Sequence, residues 1–260
     1  MMEKVLHVFF VFNLLLSPVF GQKNVADQSN AWLVYIGNHK LNDRWGIHTD
    51  YQFRRSEWLR DWQQSLTRVG LEYYTKKGPQ FTIGYAHVRT FPYGEQPVIH
   101  KNDEHRLWQQ ISLKNIIGRL DLQHRYRIEQ RLLEKYKITP VDAVVLDERV
   151  LRHRMRYRLQ IQIPLNNEKM EDNTIFISAS DEIFLGFGKG VAKNVMDQNR
   201  MYAGIGYRFN QAINLQMGYL NQYIVKSDGV HIERNHTVQM GVVYNLLFKR
   251  PICNLPIASL

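Results

Sequence analysis

The chain has 260 residues, and its formal net charge of +10 comes from 34 Lys and Arg against 24 Asp and Glu. This length fits one large β-domain as well as two small domains, and a single cysteine, Cys253, excludes an intramolecular disulfide. A basic chain first suggests a nucleic-acid partner. Export of the chain and the placement of its arginines argue against that partner.

The first segment of the chain has the pattern of a targeting sequence. Lys4 precedes a mostly apolar run at 5–16, and Pro18 and Gly21 follow it. This order of a positive charge, an apolar run and small residues predicts a secretory signal peptide over 1–21. A membrane anchor is the alternative, but the run is too short to span a bilayer.

No later segment has 18 continuous apolar residues, so we expect no transmembrane helix. From about Ala31 the dominant period is two, which is typical of β-strands. Candidate strands are at about 31–40, 44–55, 63–75, 80–91, 103–114, 118–131, 149–163, 174–185, 198–209, 212–223 and 235–248.

These strands predict an all-β fold, a single antiparallel up-and-down transmembrane β-barrel of about 10–12 strands over 22–248. Eleven is an odd number, whereas bacterial barrels of one chain usually have an even number. Either one strand escapes detection or the segment 31–40 lies outside the wall. The segment 249–260 forms a C-terminal tail of unexplained role.

The connections between the predicted strands alternate in length. Such alternation is typical of outer-membrane barrels, in which short turns face the periplasm. The segment 164–173 is an exception, since it is a longer connection on the short side. The short turns are 41–43, 76–79, 115–117 and 210–211, and the long loops are 91–102, 132–148, 186–197 and 226–234.

A soluble, lipocalin-like barrel would show the same alternation with its apolar face inward. The length of the strands favours the membrane, because a tilted spanning strand needs about 9–11 residues. Aromatic residues near the strand ends suit the two membrane interfaces. They are Trp32, Tyr35, Trp45, Trp58, Trp62, Tyr73, Tyr74, Tyr85, Phe91 and Tyr93. We therefore expect the arginine rows to point inward and the bacterial outer membrane to be the location.

The last predicted strand contains the pattern of a terminal signal for barrel assembly. Gln239, Gly241, Tyr244 and Leu246 have the polar, glycine, aromatic and apolar order of that signal. The expected partners are therefore the barrel assembly machinery and periplasmic chaperones during biogenesis, and outer-membrane lipid afterwards. Any amphipathic strand with a glycine would give the same pattern, so this match alone is weak.

Several motifs together resemble a known bacterial family. They are Pro92-Tyr93-Gly94-Glu95-Gln96-Pro97, Glu104-His105-Arg106-Leu107-Trp108-Gln109-Gln110, His124-Arg125-Tyr126-Arg127-Ile128-Glu129-Gln130-Arg131, Arg154-Met155-Arg156-Tyr157-Arg158, Pro164-Leu165-Asn166 and Asp197-Gln198-Asn199-Arg200. The chain resembles the family catalogued as domain of unknown function 2490. The resemblance implies an outer-membrane β-barrel and brings no known activity.

Charged rows on neighbouring strands are the candidate functional feature. A ladder of arginines could bind a phosphate, a carboxylate or an anionic sugar. Alternatively, arginines paired with carboxylates fill a lumen that is too narrow to stay empty, and the small strand number favours this plug. The candidate residues are Glu104, Arg106, Asp121, Arg125, Arg127, Glu129, Arg154, Arg156, Arg158, Glu182 and Arg200.

We therefore expect a structural or binding function, or the narrow transport of a solute or anion, for a barrel whose lumen is filled with arginine and glutamate. A lipid-modifying enzyme is the first alternative, since His124 and His153 fall on apolar faces; the nearest serines, Ser112 and Ser180, fall on polar faces. A soluble periplasmic barrel is the second. No pattern predicts a cofactor.

A metal site near the loop at 91–102 is disfavoured. His100, Asp103, Glu104 and His105 are of ligand type and lie close together in sequence. Adjacent strand residues point to opposite faces, so Glu104 and His105 cannot both face one ion. We predict no metal site there.

Overall fold

The computed structural model describes residues 23–248, except 77, 96, 189, 190, 192 and 193, as a closed barrel of eleven β-strands. The predicted signal peptide at 1–21 and the tail at 249–260 lie outside the described residues. The strands are β1 (Asn24–Lys40), β2 (Trp45–Ser56), β3 (Asp61–Tyr74), β4 (Gln80–Thr90), β5 (Asn102–Ile117), β6 (Leu120–Ile138), β7 (Val144–Pro164), β8 (Thr174–Phe187), β9 (Met196–Arg208), β10 (Ile213–Val225) and β11 (His231–Tyr244).

Helix is almost absent from the described part of the chain, which contains one short 3-10 turn at Glu57–Leu59 between β2 and β3. No helix among the described residues is long and apolar enough to cross a membrane. The fold is therefore all-β, as predicted, and its strand number lies within the predicted range.

The alternation of side chains sets the two faces of the wall. On β4, Phe81, Ile83 and Tyr85 are exposed on the outer surface, whereas Ala86 and Val88 are buried on the inner one. The same alternation on β6 and β7 turns the arginines into the lumen. The barrel is thus apolar outside and charged inside, which is the reverse of a soluble barrel.

The first and last strands close the barrel as a parallel pair. β1 pairs with β11 from Asn24 opposite His231 to Gly37 opposite Tyr244, whereas every other neighbouring pair of the described strands is antiparallel. The predicted antiparallel barrel is therefore confirmed, with this one parallel pair as its exception. Since eleven strands alternate in direction, the first and last run the same way and can meet only in parallel.

The segment 31–40 belongs to the wall, which corrects the suspicion that it lies outside. It forms most of β1 and hydrogen-bonds β2 on its other side, with Asn30 opposite Ser56. The strand begins at Asn24, earlier than predicted. The prediction missed residues 24–30 because they lack the row of large apolar side chains on which it relies.

The predicted long loop at 132–148 is instead a projecting hairpin. β6 and β7 continue pairing to Ile138 opposite Val144, so the connection shrinks to 139–143. β5 stops pairing with β6 at Leu133. The hairpin therefore extends past its neighbours, and charged pairs such as Lys135 with Glu148 cover its exposed surface.

The barrel has two ends, named here after the connections they contain. The β1–β2 end contains the connections after β1, β3, β5, β7 and β9, and the β2–β3 end contains those after β2, β4, β6, β8 and β10. The longer connection at 165–173 lies at the β1–β2 end. Arg119 holds it there by donating to the carbonyls of Pro164, Leu165 and Asn167, at 2.7–3.3 Å.

Three turns share one geometry, in which a side-chain oxygen accepts two backbone N–H groups. Asn42 accepts from Arg44 and Trp45, and Asn210 accepts from Ala212 and Ile213. In the third turn, the Asp228 carboxylate accepts from the N–H groups of Val230 and His231. Such side-chain turns replace backbone hydrogen bonds that the tight connection cannot make.

The third turn is expected to lose its order in acid. The backbone N–H groups of His231 and Val230 lower the pKa of Asp228 from 3.8 to about 2. Because the pKa of Asp228 is lower in the folded turn than in the unfolded chain, the ionised carboxylate stabilises the turn above pH 4. This stabilisation is lost as the pH falls towards 2 and the carboxylate becomes protonated. Hydrogen exchange should show faster exchange of the Val230 and His231 amides over this interval.

The other two turns provide the control for this acid transition, because their acceptors do not titrate. The amides of Arg44, Trp45, Ala212 and Ile213 should keep their protection between pH 4 and 2. Equal loss of protection in all three turns would show a general opening of the barrel and contradict the role of Asp228.

Candidate functional site

All the predicted charged residues point into the lumen. Most are buried there, and apart from Arg158 and Arg200, which form no ion pair in the described part of the chain, the structure separates them into three ion-paired groups and one isolated pair. The groups centre on Glu129, on Glu182 and on Glu104, while Asp121 lies apart and pairs with Lys114 at 2.7 Å. The first two groups share Arg156, and together they form the central network of Arg125, Arg127, Glu129, Arg154, Arg156 and Glu182.

Glu129 lies at the middle of the central network and is 1% exposed. Arg154 donates to its Oε2 at 2.6 and 3.0 Å, and Arg156 donates to its Oε1 at 2.7 Å. Arg127 Nη1 is 3.9 Å from Oε1. One carboxylate thus faces three guanidinium groups, and two of them, those of Arg154 and Arg156, supply charge-assisted hydrogen bonds to its two oxygens.

Glu182 joins the opposite side of the network. Its Oε1 accepts from Arg125 at 2.6 Å and from Arg156 at 2.9 Å through Nε. Arg156 therefore bridges Glu129 and Glu182, which come from β6 and β8. This bridge ties three consecutive strands together inside the lumen, where the low dielectric strengthens each ion pair and penalises any unpaired charge.

Glu104 forms the third group near the β2–β3 end. Arg106 and Arg131 both bind it with two hydrogen bonds each, at 2.6 and 3.0 Å and at 2.5 and 3.0 Å. Asp197 lies 3.8 Å from Arg131 and 3.7 Å from Arg154, so it connects this group to the central network.

Aromatic rings inside the lumen support the guanidinium groups. Arg127 lies over Trp108 at 4.4 Å, and Arg156 lies over Phe184 at 4.4 Å. Arg54 covers Trp32 at 3.9 Å, and the indole of Trp32 donates to Gln63 at 2.7 Å. The cation–π contacts place apolar surface where a water-filled pore would need polar walls.

The lumenal rings were not predicted from the sequence, and Trp32 was wrongly assigned to the outer aromatic girdle. The alternation of side chains along a strand could have revealed these rings, because residues an even number of positions apart share one face. Trp108 shares the face of Glu104, and Phe184 shares the face of Glu182. The same signal would have found Asp50 and Arg68, which form a buried ion pair.

The central network divides the lumen into two cavities. The β2–β3 cavity has a volume of about 320 Å³ and the β1–β2 cavity a volume of about 380 Å³. Arg68, Arg156 and Arg200 line both cavities and so form the partition between them. A solute that crosses the barrel would have to displace these side chains, of which Arg68 and Arg156 are held by ion pairs.

A loop covers the mouth of the β2–β3 cavity. Tyr93, from the connection between β4 and β5, donates a hydrogen bond to Glu233 on β11, and Lys226 binds the same carboxylate at 2.6 Å. Burial, followed by the charge of Glu233, raises the pKa of Tyr93. The phenol therefore stays neutral and keeps donating, and the loop is fixed across the mouth rather than along the rim.

The other sequence predictions concern residues outside the lumen network. Gln239, Gly241 and Tyr244 lie in β11 as expected, and the carbonyl of Leu246 accepts from the Lys40 N–H at 2.8 Å. Their role as an assembly signal stays a prediction. Within the described residues, no group of three or more His, Cys, Asp and Glu is arranged to hold a metal ion.

The histidines of the enzyme hypothesis face outward, away from the candidate serines. His124 contacts the Tyr157 hydroxyl at 3.0 Å, and His153 stacks on Phe187 at 5.5 Å. Ser112 accepts from Gln110 at 3.0 Å on the lumenal side. The described part of the chain contains no hydrogen bond between either of these histidines and a serine, so the proposed histidine and serine pair is not brought together.

The geometry defines a closed all-β barrel with an apolar exterior and an ion-paired lumen. The chain belongs to the family described as Protein of unknown function (DUF2490), whose model matches residues 29–233. Comparisons with curated proteins and with solved structures found no match to the chain.

Proposed function

We propose that this protein is an outer-membrane β-barrel with a closed lumen, and that it has a structural or binding role rather than that of a diffusion pore. The observation that carries the proposal is the partition of the lumen by buried ion pairs. Arg156, which lines both cavities, is 3% exposed and is held by two carboxylates.

The outer surface supports the membrane location. Large apolar residues such as Ile83, Ile205 and Met217 are exposed there, and their burial in lipid would remove this surface from water. Trp45 packs on Tyr73 at 4.9 Å near one end, and Phe53 packs on Trp62 at 4.6 Å near the other. Such aromatic pairs suit the two membrane interfaces.

Outward ion pairs mark one limit of the apolar surface. Arg89 binds Asp103 with two hydrogen bonds at 2.7 and 2.8 Å, and Arg234 binds Asp27 at 2.5 and 2.8 Å. Both pairs lie towards the β2–β3 end, where polar lipid headgroups would meet them.

The predicted partners belong to the same proposal. The N-terminal signal peptide would export the chain, periplasmic chaperones and the barrel assembly machinery would insert it, and outer-membrane lipid would surround it. Fractionation should place the protein in the outer membrane, with a folded form that migrates differently from the heated form on gels. A soluble periplasmic pool would contradict the location.

The closed lumen has its own test in planar lipid bilayers. The wild-type barrel should show no large, steady conductance, because Arg156 and its two carboxylates block the passage. Arg156→Ser removes one of the three side chains that line both cavities, the one that joins Glu129 to Glu182, and should produce conductance steps. Gel migration would confirm that the variant is folded.

Arg149→Ser is the matched control for the conductance experiment. Arg149 pairs with Glu134 at 3.1 Å on the projecting hairpin, outside the partition. Its loss should leave the barrel closed. A large, non-selective conductance in the wild-type protein would refute the closed lumen.

A further inference from the structure

Like charges face each other across β6 and β7. In the register of these strands, Arg125 is opposite Arg158, and Arg127 is opposite Arg156. Arg131 is likewise opposite Arg152. Like charges at directly opposite positions destabilise a pair of strands. The lumen therefore keeps these arginines at a cost that partners elsewhere have to offset.

The carboxylates do not suffice for all the arginines around Glu182. Arg125 and Arg156 bind its Oε1 directly. Arg158 on β7 and Arg200 on β9 are the residues directly opposite Glu182 on its two neighbouring strands, yet neither forms an ion pair in the described part of the chain. One carboxylate thus serves a cluster of four guanidinium groups.

Arg158 is the arginine with the least compensation in this cluster. Within the described residues it makes neither a hydrogen bond nor an ion pair, and its buried Nε has no acceptor. It is only partly buried and faces the β1–β2 cavity together with Arg125. A guanidinium group in this position offers donors to a ligand in the cavity.

The other carboxylates that line the β1–β2 cavity have partners elsewhere. Asp50 pairs with Arg68, and Asp121 pairs with Lys114. Asp121 lies at the start of β6, opposite Gln162, which is four residues along β7 from Arg158. Among the carboxylates that line this cavity, Arg158 therefore has only Glu182 nearby, and Arg125 and Arg156 already bind that carboxylate.

We propose that Arg125 and Arg158 form a binding site for a small oxyanion of the phosphate class in the β1–β2 cavity. Two guanidinium forks match the oxygens of a phosphate group, and each fork can donate two parallel hydrogen bonds. The cavity volume of about 380 Å³ leaves room for a substituent on that group. This site adds a ligand to the binding role proposed above.

Arg152 provides the matched comparison. It too has no ion pair within the described residues, and it is opposite Arg131, but it faces the other cavity. There Asp197 contacts Arg131, the residue opposite Arg152, and its buried Oδ1 has no hydrogen-bond donor. The β1–β2 cavity also contains a carboxylate oxygen without a donor, Asp121 Oδ1, but Asp121 is opposite Gln162, four residues along β7 from Arg158. A free carboxylate oxygen beside the arginine disfavours an anion, so we place the site at Arg158.

Phosphate binding to the folded barrel in an uncharged detergent tests the proposal. Calorimetric titration with inorganic phosphate at constant ionic strength should show saturable binding to the wild-type protein and to Arg152→Gln. Binding to Arg158→Gln should be at least ten-fold weaker. Arg158→Lys keeps the charge without the fork and should bind with intermediate affinity, which provides a second variant if the first fails to fold.

Two further ligands identify the source of the phosphate group. Glycerol 3-phosphate should bind at least as tightly as inorganic phosphate if the ligand is a phosphomonoester, and more weakly if it is the free ion. Acetate should bind more weakly than either. The site is refuted if phosphate does not saturate the wild-type protein, or if Arg158→Gln binds it unchanged. Because the titration uses no bilayer, its outcome is independent of the conductance result.

Discussion

Replacing Glu129 with glutamine is expected to destabilise the barrel by about 3–5 kcal/mol, since the change leaves a buried cluster of guanidinium groups without its carboxylate. Arg154 loses its shortest ion pair, at 2.6 Å, and Arg156 loses one of its two ion pairs of 2.7 Å. The glutamine has nearly the same size, so the loss measures charge rather than packing. The midpoint of guanidinium unfolding in lipid vesicles would report it.

Glu148→Gln is the control for this substitution. Glu148 pairs with Lys135 at the same distance, 2.6 Å, but its side chain is 52% exposed on the projecting hairpin. An exposed ion pair contributes about 0–1 kcal/mol. If both variants unfold at the same denaturant concentration, the central network does not hold the strands together.

The lumenal face of this network could be predicted from the sequence, because a period of two assigns each charged row to one side of the wall. Arg154, Arg156 and Arg158 are a clear example. The choice of partners could not be predicted in the same way. It depends on the register between strands, which places Arg125 opposite another arginine, Arg158. The carboxylate that Arg125 binds, Glu182, lies one strand further away, on β8.

Two parts of the wall were misjudged for physical reasons. The projecting hairpin of β6 and β7 has charged residues on both faces. A strand is recognised by the alternation of apolar and polar residues, and this alternation is absent there. The parallel closure of β1 on β11 joins residues as distant as Asn24 and His231. A local pattern contains no information about which distant edges meet, nor about their relative direction.

A charge on the outer wall is expected to have the second large effect. Met217 is 51% exposed, and its cross-strand neighbours on both sides, Ile205 and Met240, are exposed apolar residues as well. If lipid surrounds this surface, Met217→Arg should cost about 2–4 kcal/mol, as arginine does near the middle of a bilayer. In water, the same exposed position would accept arginine at almost no cost.

Val141→Arg separates these two cases, because it places the same charge at a more exposed site. Val141 lies at the tip of the projecting hairpin and is 83% exposed. Its replacement should leave the free energy of unfolding in vesicles unchanged, whereas Met217→Arg should lower both this free energy and the folded fraction on gels. Equal behaviour of the two variants would mean that the apolar wall faces water. Then the outward leucines and isoleucines would need a protein partner to cover them, and the proposed membrane location would be wrong.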